Sequence, residues 1–177
     1  MIIKSVVSEI YHLVVRLMVL IPIQPVRRIV CKVIMKSFSM TTSIRRNVDL
    51  RSPYRISIGR YCNINKKCVL DGRGPLTIGN YVDIAQEVNI WTSQHDYNDD
   101  YHKLDNAGVT IDDYAWVAAR ATIIPGVNIG RGAVVGTCSL VTKDVAPMDV
   151  VGGVPAKHIS TRTSQLKYRL FHRVLFQ

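Results

Sequence analysis

From Ile44 onward an aliphatic residue returns at almost every sixth position. The series runs through Ile44, Leu50, Ile56 or Ile58, Ile64, Leu70 and Leu76, and after a slip of two through Ile78, Ile84 and Ile90. It resumes at Ile111, Val117, Ile123, Ile129, Val135 and Val141. Six is neither the 3.6 of a helix nor the 2 of a strand. Four positions after each anchor stands a second, mostly small, inward candidate: Cys62, Cys68, Val82, Val88, Ala115, Ala121, Val127, Ala133, Ser139 and Val145. A short fixed period describes stacked units that bury their apolar faces on one another. Each unit supplies one short strand and one corner, and three units close a triangular coil of about 18 residues whose strands stack ~4.8 Å apart. The small residue after many anchors (Gly59, Gly79, Ala85, Ala118, Gly130, Gly136) is expected to let the chain turn. The fold class is therefore mainly β, a parallel solenoid.

Helical segments flank this body. Residues 2–21 place Ile3, Val6, Val7, Ile10, Leu13, Val14, Leu17, Met18 and Ile21 on one side of a helix that Pro22 should end. Pro25 can open a second helix, with Val26, Ile29, Val30, Val33 and Ile34 set against Arg27, Arg28, Lys32 and Lys36. The apolar stripe has two possible destinations: the body or a neighbouring subunit, or the plane of an anionic membrane touched through residues 1–38. "GGVPAK" reads as a closing turn, and "SQLKYRLFHRVLF" as a short basic C-terminal helix. The plan is 1–40 amphipathic helices, 41–160 solenoid, 161–177 terminal basic helix.

The net charge of +10 is unevenly placed: residues 1–60 hold 11 Lys and Arg against 2 acids, residues 61–156 hold 7 against 11, and residues 157–177 hold 5 against none. Basic ends around an acidic middle suit an anionic partner such as a phosphorylated cofactor or a membrane. Nucleic acid is set aside, because no basic-aromatic recognition motif accompanies the charge. The four cysteines lack zinc or CxxC spacing, read as reduced and packed, and fit a cytoplasmic protein. No apolar run approaches the ~20 residues of a membrane span.

One stretch interrupts the rhythm: "WTSQHDYNDDYH", Trp91–His102. Residues 96–110 must leave the prism as a loop, and a long loop without structure of its own is more often functional than accidental. His95 stands at its root, with rigid scaffold below and mobile cover above.

"IGNYVDIAQEVNI" and "IDDYAWVAARATIIPGVNIGRGAVVGTCSLVTKDV", followed by "VVGGVPAKHI", resemble the hexapeptide-repeat acyltransferases over residues 44–160. Among these the chain is most similar to the galactoside, maltose and exopolysaccharide O-acetyltransferases. The resemblance implies a left-handed parallel β-helix, an exception to the usual crossover hand. It also implies a homotrimer with sites between subunits, and direct acetyl transfer from acetyl-CoA to a carbohydrate hydroxyl. "TSQHD" matches the family's histidine run and makes His95 the general base. A neutral imidazole can take the hydroxyl proton while a carboxylate or backbone carbonyl fixes the other ring nitrogen. Counting back from the shared "TIG" run places an acceptor-contacting asparagine at Asn65. Asp71, Asp96 and His102 are further candidate acceptor contacts. Coenzyme A is expected along the C-terminal coils at Trp116, Ala119, Thr137, Thr142 and Lys143, with Lys143 and Lys157, joined by Arg162, at its phosphate end.

Three rivals compete with this reading. A zinc enzyme on the same fold needs gathered histidines, and His95 and His102 stand at the wrong step, so no metal is expected. A non-catalytic β-helix scaffold would have no use for the histidine run. A xenobiotic or serine O-acetyltransferase shares the fold and differs in its loops.

Overall fold

The computed structural model describes residues 2–170, with side chains from residue 10 onward. Two helices, α1 (Ile2–Leu20) and α2 (Gln24–Ile34), precede a parallel β-solenoid. The helix boundaries fall at Pro22 and Pro25 as expected, with Pro25 in the first turn of α2.

Three parallel sheets form the walls of the prism. Sheet I stacks Ser37–Phe38, Ile56–Ile58, Leu76–Ile78, Val109–Ile111 and Asn128–Ile129. Sheet II stacks Ser43–Ile44, Asn63–Ile64, Asp83–Ile84, Trp116–Val117, Val134–Val135 and Asp149–Gly152. Sheet III stacks Asp49–Arg51, Val69–Asp71, Asn89–Ile90, Thr122–Ile123 and Leu140–Val141. The predicted anchors all point inward, and Ile44, Ile64, Leu70, Ile84, Ile90, Ile111 and Val117 are wholly buried. Burial of each contributes about 1.5–3 kcal/mol. The second set, Cys62 through Val145, is buried as well, at corners where the prism narrows and only small side chains fit.

The coil length differs from the expected 18. Ile44 pairs with Ile64 and Ile64 with Ile84, a step of 20 residues. The 18-residue step holds only above the loop, as in the pairing of Val117 with Val135. The two extra residues sit each time at the corner between sheets III and I: at Ser52 and the 3-10 turn Pro53–Arg55, and again at Asp71–Pro75.

The small residues do not act as foreseen either. Gly59 has no positive φ; a Cβ there would stand 2.5 Å from the Gly79 carbonyl one coil above, so the glycine serves close stacking. The left-handed turns fall two residues later, at Tyr61, Tyr81 and Tyr114 between sheets I and II. Asn47, Lys67, Glu87, Arg120 and Cys138 take that role between sheets II and III.

Both ends of the stack are covered, which protects open strand edges. At the top, Lys157–Thr161 pairs antiparallel to Asp149–Gly152. At the bottom, α2 packs on the first strands of sheets I and II. There the fully buried Arg27 donates from Nε to the Ile44 carbonyl, 3.1 Å away, which has no coil beneath it to serve. Helix α1 lies on Asp49–Arg51 through Val15 and Val19. The stripe of Ile10, Leu13, Val14 and Leu17 faces away from the body and is about half exposed (56, 56, 43 and 57%). Of the destinations foreseen for that stripe, packing on this chain's own body is not taken by Ile10, Leu13, Val14 or Leu17.

The short basic C-terminal helix does not form over residues 162–170, which carry no regular structure; residues 171–177 lie outside the described residues. Arg162, Leu166 and Tyr168 each dock on the corner between sheets I and II. There Tyr61, Tyr81 and Tyr114 stack as a ladder, with Tyr168 edge-on to Tyr114. Tyr168 Oη donates to the Tyr114 carbonyl, while buried Leu166, at φ +53°, packs over Gly132. A helix would turn residues two apart to opposite sides, so it could not dock Leu166 and Tyr168 together.

Candidate active site

The loop is a built element. Ser93–His95 and Leu104–Asn106 pair antiparallel, with His95 opposite Leu104, so the unstructured loop expected over 96–110 is a hairpin. Val109 already belongs to sheet I. The stack closes beneath the insertion, because Ile78 pairs directly with Ile111.

The root of the hairpin is locked by Thr92 and Asp71. Buried Thr92 donates its backbone N–H to Asp71 Oδ2 (3.1 Å) and its hydroxyl to the Asp71 carbonyl (3.0 Å). The Thr92 hydroxyl accepts from Gly74 N–H (2.8 Å), and its carbonyl accepts from Ala107 N–H (3.0 Å). The Asp71 carboxylate is wholly buried and takes a two-pronged ion pair from Arg73, Nε to Oδ1 at 3.0 Å and Nη2 to Oδ2 at 3.1 Å. Asp71 was expected to touch the acceptor; with no exposed atom it instead fixes the base of the hairpin.

His95 projects from this root into solvent. Its Nδ1 lies 2.6 Å from the His102 carbonyl. A carbonyl only accepts, so Nδ1 carries the proton, and Nε2 presents its lone pair in the neutral ring. The backbone carbonyl foreseen as tautomer lock is thus supplied by His102, itself at φ +52°, whose ring stacks on His95 with centroids 4.0 Å apart. His102 was expected to line an acceptor pocket; its observed contacts are with the His95 ring. Asp96 Oδ1 accepts from Asn98 N–H, and Asp99 Oδ1 from Tyr101 and Lys103 N–H, so both carboxylates shape the hairpin tip. Tyr97 and Tyr101 at that tip are 90% and 94% exposed, a pairing the sequence reading left unassigned.

The remaining candidates are sorted by corner. Asn65 stands between sheets II and III. Its N–H and its side-chain Nδ2 both donate to the Ile84 carbonyl, at 2.9 and 3.0 Å, which leaves Oδ1 to accept from outside. Ala119 and Thr137 lie on the same corner, two and three coils higher, and Trp116, 44% exposed, lies on sheet II beside them. Thr142 and Lys143 follow the last strand of sheet III, on the corner from which the hairpin leaves. Lys157 is exposed on the capping strand. Arg162 is at the third corner, where its Nη1 donates to the Tyr114 and Gly132 carbonyls, both at 3.2 Å; the structure makes it an anchor of the tail rather than a phosphate ligand. One chain therefore holds His95 and Asn65 on opposite edges of sheet III.

Burial pushes the thiols of Cys31 and Cys68 up to about 12 and that of Cys62 to about 11, which makes them inert at neutral pH. Cys138 is exposed, against the expectation that all four are packed. Among the described residues no three His, Cys, Asp or Glu side chains gather into a metal-binding group.

Comparison with known proteins agrees with this architecture. No protein-family model matches the sequence. The chain is 31% identical over 119 residues to a putative colanic acid biosynthesis acetyltransferase of Escherichia coli K12, covering 67% of this chain and 65% of that protein. It is 36% identical over 124 residues to the galactoside O-acetyltransferase of the same strain, covering 66% and 59%. A segment of 49 residues, 28% of the chain and 23% of the relative, is 55% identical to a chloramphenicol acetyltransferase of Morganella morganii. The crystal structure of a Vibrio cholerae hexapeptide-repeat acetyltransferase with acetyl-coenzyme A superposes at a TM-score of 0.79. It is 25% identical, and the match covers 85% of this chain and 84% of that one. In sequence and in fold the chain is similar to the hexapeptide-repeat acetyltransferases. The chain spans less than two thirds of the length of these two curated relatives.

Proposed function

We propose that the chain is an acetyl-CoA-dependent O-acetyltransferase that modifies a sugar hydroxyl in exopolysaccharide or surface-glycan synthesis. The observation that carries this reading is the His95 ring, held by the His102 carbonyl so that Nε2 is the free base. The acceptor O–H gives its proton to Nε2 as its oxygen attacks the acetyl carbonyl. The C–S bond breaks, and the departing thiolate of CoA takes the proton from the imidazolium. The His102 carbonyl steadies that imidazolium, and the Asp71–Thr92 lock holds the ring in place. Relatives named as galactoside and colanic acid acetyltransferases support the sugar acceptor.

The separation of His95 from Asn65 supports a homotrimer in which the hairpin of one chain meets the Asn65 corner of the next. In that arrangement Trp116, Ala119, Thr137, Thr142 and Lys143 border one intersubunit groove for coenzyme A, with Lys157 at its phosphate end. The exposed stripe of α1 supports cytoplasmic enzyme resting on the inner membrane face; among the described residues no helix is long and apolar enough to cross a membrane. Removing residues 1–38 should abolish partitioning onto anionic vesicles, and unchanged partitioning would discard the membrane contact.

The test of activity is CoA release over a panel of nucleotide sugars and oligosaccharides, with His95→Ala as control. Equal turnover by both proteins rejects the assigned base. The short, strong likeness to a chloramphenicol acetyltransferase favours one second reading, a small xenobiotic acceptor. Including chloramphenicol in the same panel separates the two.

A further inference from the structure

The corner that bears Asn65 continues downward into a cluster of cations. Arg45, Arg46, Asn47 and Lys66 line an open pocket of about 280 Å³. The 20-residue coil builds it: Arg45 N–H donates to the Ile64 carbonyl just as Asn65 N–H donates to Ile84, so Arg45 lies one coil, about 4.8 Å, beneath Asn65. Lys66 follows Asn65 in the chain. Behind the pocket α2 brings Arg27 and Arg28. Burial lowers the proton affinity of Arg27 first, and Arg46, Arg45 and Arg28 lower it further, so Arg27 feels the field of the other three.

No acidic side chain lines this pocket, and two acids of the same corner are engaged by other cations. Asp49 pairs with Arg51, and Glu87 is taken by Arg120 at 2.9 Å and Lys67 at 4.0 Å. The Nε–H groups of Arg28 and Arg45 are buried and have no hydrogen-bond partner. Gathering like charges and leaving guanidinium donors unpaired is unfavourable unless an anion completes the site. Guanidinium forks match phosphate oxygens in geometry as well as charge. The pocket lies below the roughly 300–1,000 Å³ of ordinary small-molecule sites, a scale suited to a phosphate or diphosphate.

We propose that Arg45, Arg46 and Lys66 form a phosphate-ester site, so that the acceptor enters as a phosphorylated or diphosphate-linked sugar with its anion beneath Asn65. This rests on the transfer proposed above. It places the anion at the bottom of the corner, whereas the coenzyme candidates Ala119 and Thr137 stand on the same corner above Asn65. The phosphate therefore belongs to the acceptor and not to coenzyme A.

The experiment uses the full chain and inorganic pyrophosphate as probe, read by calorimetry. Wild type and His95→Ala should bind it equally, so binding is judged apart from turnover. Arg46→Gln/Lys66→Gln, two exposed positions, should bind at least tenfold more weakly. The double variant should also raise KM for a nucleotide-diphosphate sugar by a similar factor, leaving KM for acetyl-CoA and turnover of the unphosphorylated sugar unchanged. Vesicles of phosphatidylglycerol test the other source of phosphate. If the double variant loses vesicle binding but keeps its KM for the nucleotide sugar, the site serves a lipid headgroup and the acceptor assignment falls. Pyrophosphate affinity equal in wild type and double variant, or absent from both, overturns the phosphate site itself.

Discussion

The two corners that flank sheet III arise from the same repeat and behave differently. Between sheets II and III every coil turns alike: Asn47, Lys67, Glu87, Arg120 and Cys138 all sit near φ +60°, and the path is a straight vertical edge. Between sheets III and I no two of the lower coils agree; one carries a 3-10 turn, the next the Asp71–Pro75 bulge, and the third the whole hairpin. The regular edge suits a long groove for an extended ligand. The irregular edge is where the repeat tolerates insertion, because each coil depends only on its neighbours. In the reading proposed here, catalysis needs one of each, and a single chain keeps them apart.

The sharpest way to break this contrast is to remove the base. His95→Ala should lower kcat by about 10²–10⁴-fold with little change in thermal stability. Next in size is the lock beneath it. Asp71→Ala leaves the one-third-exposed Arg73 without its carboxylate and the buried Thr92 N–H without its acceptor, and should cost about 1–3 kcal/mol in denaturant unfolding. Asn65→Ala gives the test of the two edges together. Alone, it and His95→Ala should both be weak enzymes, whereas trimers refolded from an equal mixture should recover about a quarter of wild-type activity by random assortment. A site confined within one chain predicts no recovery.

A smaller effect probes the stacking. Gly59→Ala places a Cβ 2.5 Å from a backbone oxygen and should destabilise by about 1–3 kcal/mol, measured by urea midpoint. The smallest concerns the buried thiols, whose ordinary value is 9.0 and which burial raises to about 11 for Cys62 and about 12 for Cys31 and Cys68. A raised folded value means that their stabilisation is intact below pH 9 and is lost as pH climbs toward 11–12. Stability should fall across that window, less steeply in Cys68→Val.

The solenoid was legible because its signal repeats: an inward aliphatic at every sixth place marks each wall, and a small residue four later marks each narrow corner. Features that occur once were harder to read. The two-residue slip showed in the sequence between Leu76 and Ile78, but its recurrence in the lower coils did not, because Ile56 and Ile58 are both apolar and both buried. Glycine was taken as the turning residue, yet Tyr61, Tyr81 and Tyr114 occupy the left-handed positions; their rings stack on one another, an interaction between coils that local propensity does not register. His95 was singled out through a matched motif, and the backbone carbonyl foreseen beside its ring is the one that His102 supplies. The partner His102 was misassigned because the contact uses its backbone. Asp71 was drawn toward ligands since charge is visible in a sequence and burial is not, and Arg162 since its backbone-carbonyl partners lie 30 and 48 residues away in the chain. The cation cluster was sensed only as a surplus of charge in the first sixty residues, because its assembly depends on the length of a coil.

The closure of Ile78 onto Ile111 has a further implication for evolution and engineering. Because the walls are continuous beneath it, the hairpin from Ser93 to Asn106 behaves as a cartridge clipped into a seam. Cartridges of other lengths could be exchanged there without rebuilding the column, so that, for the transfer proposed above, new acceptor preferences can be explored while the donor groove stays constant.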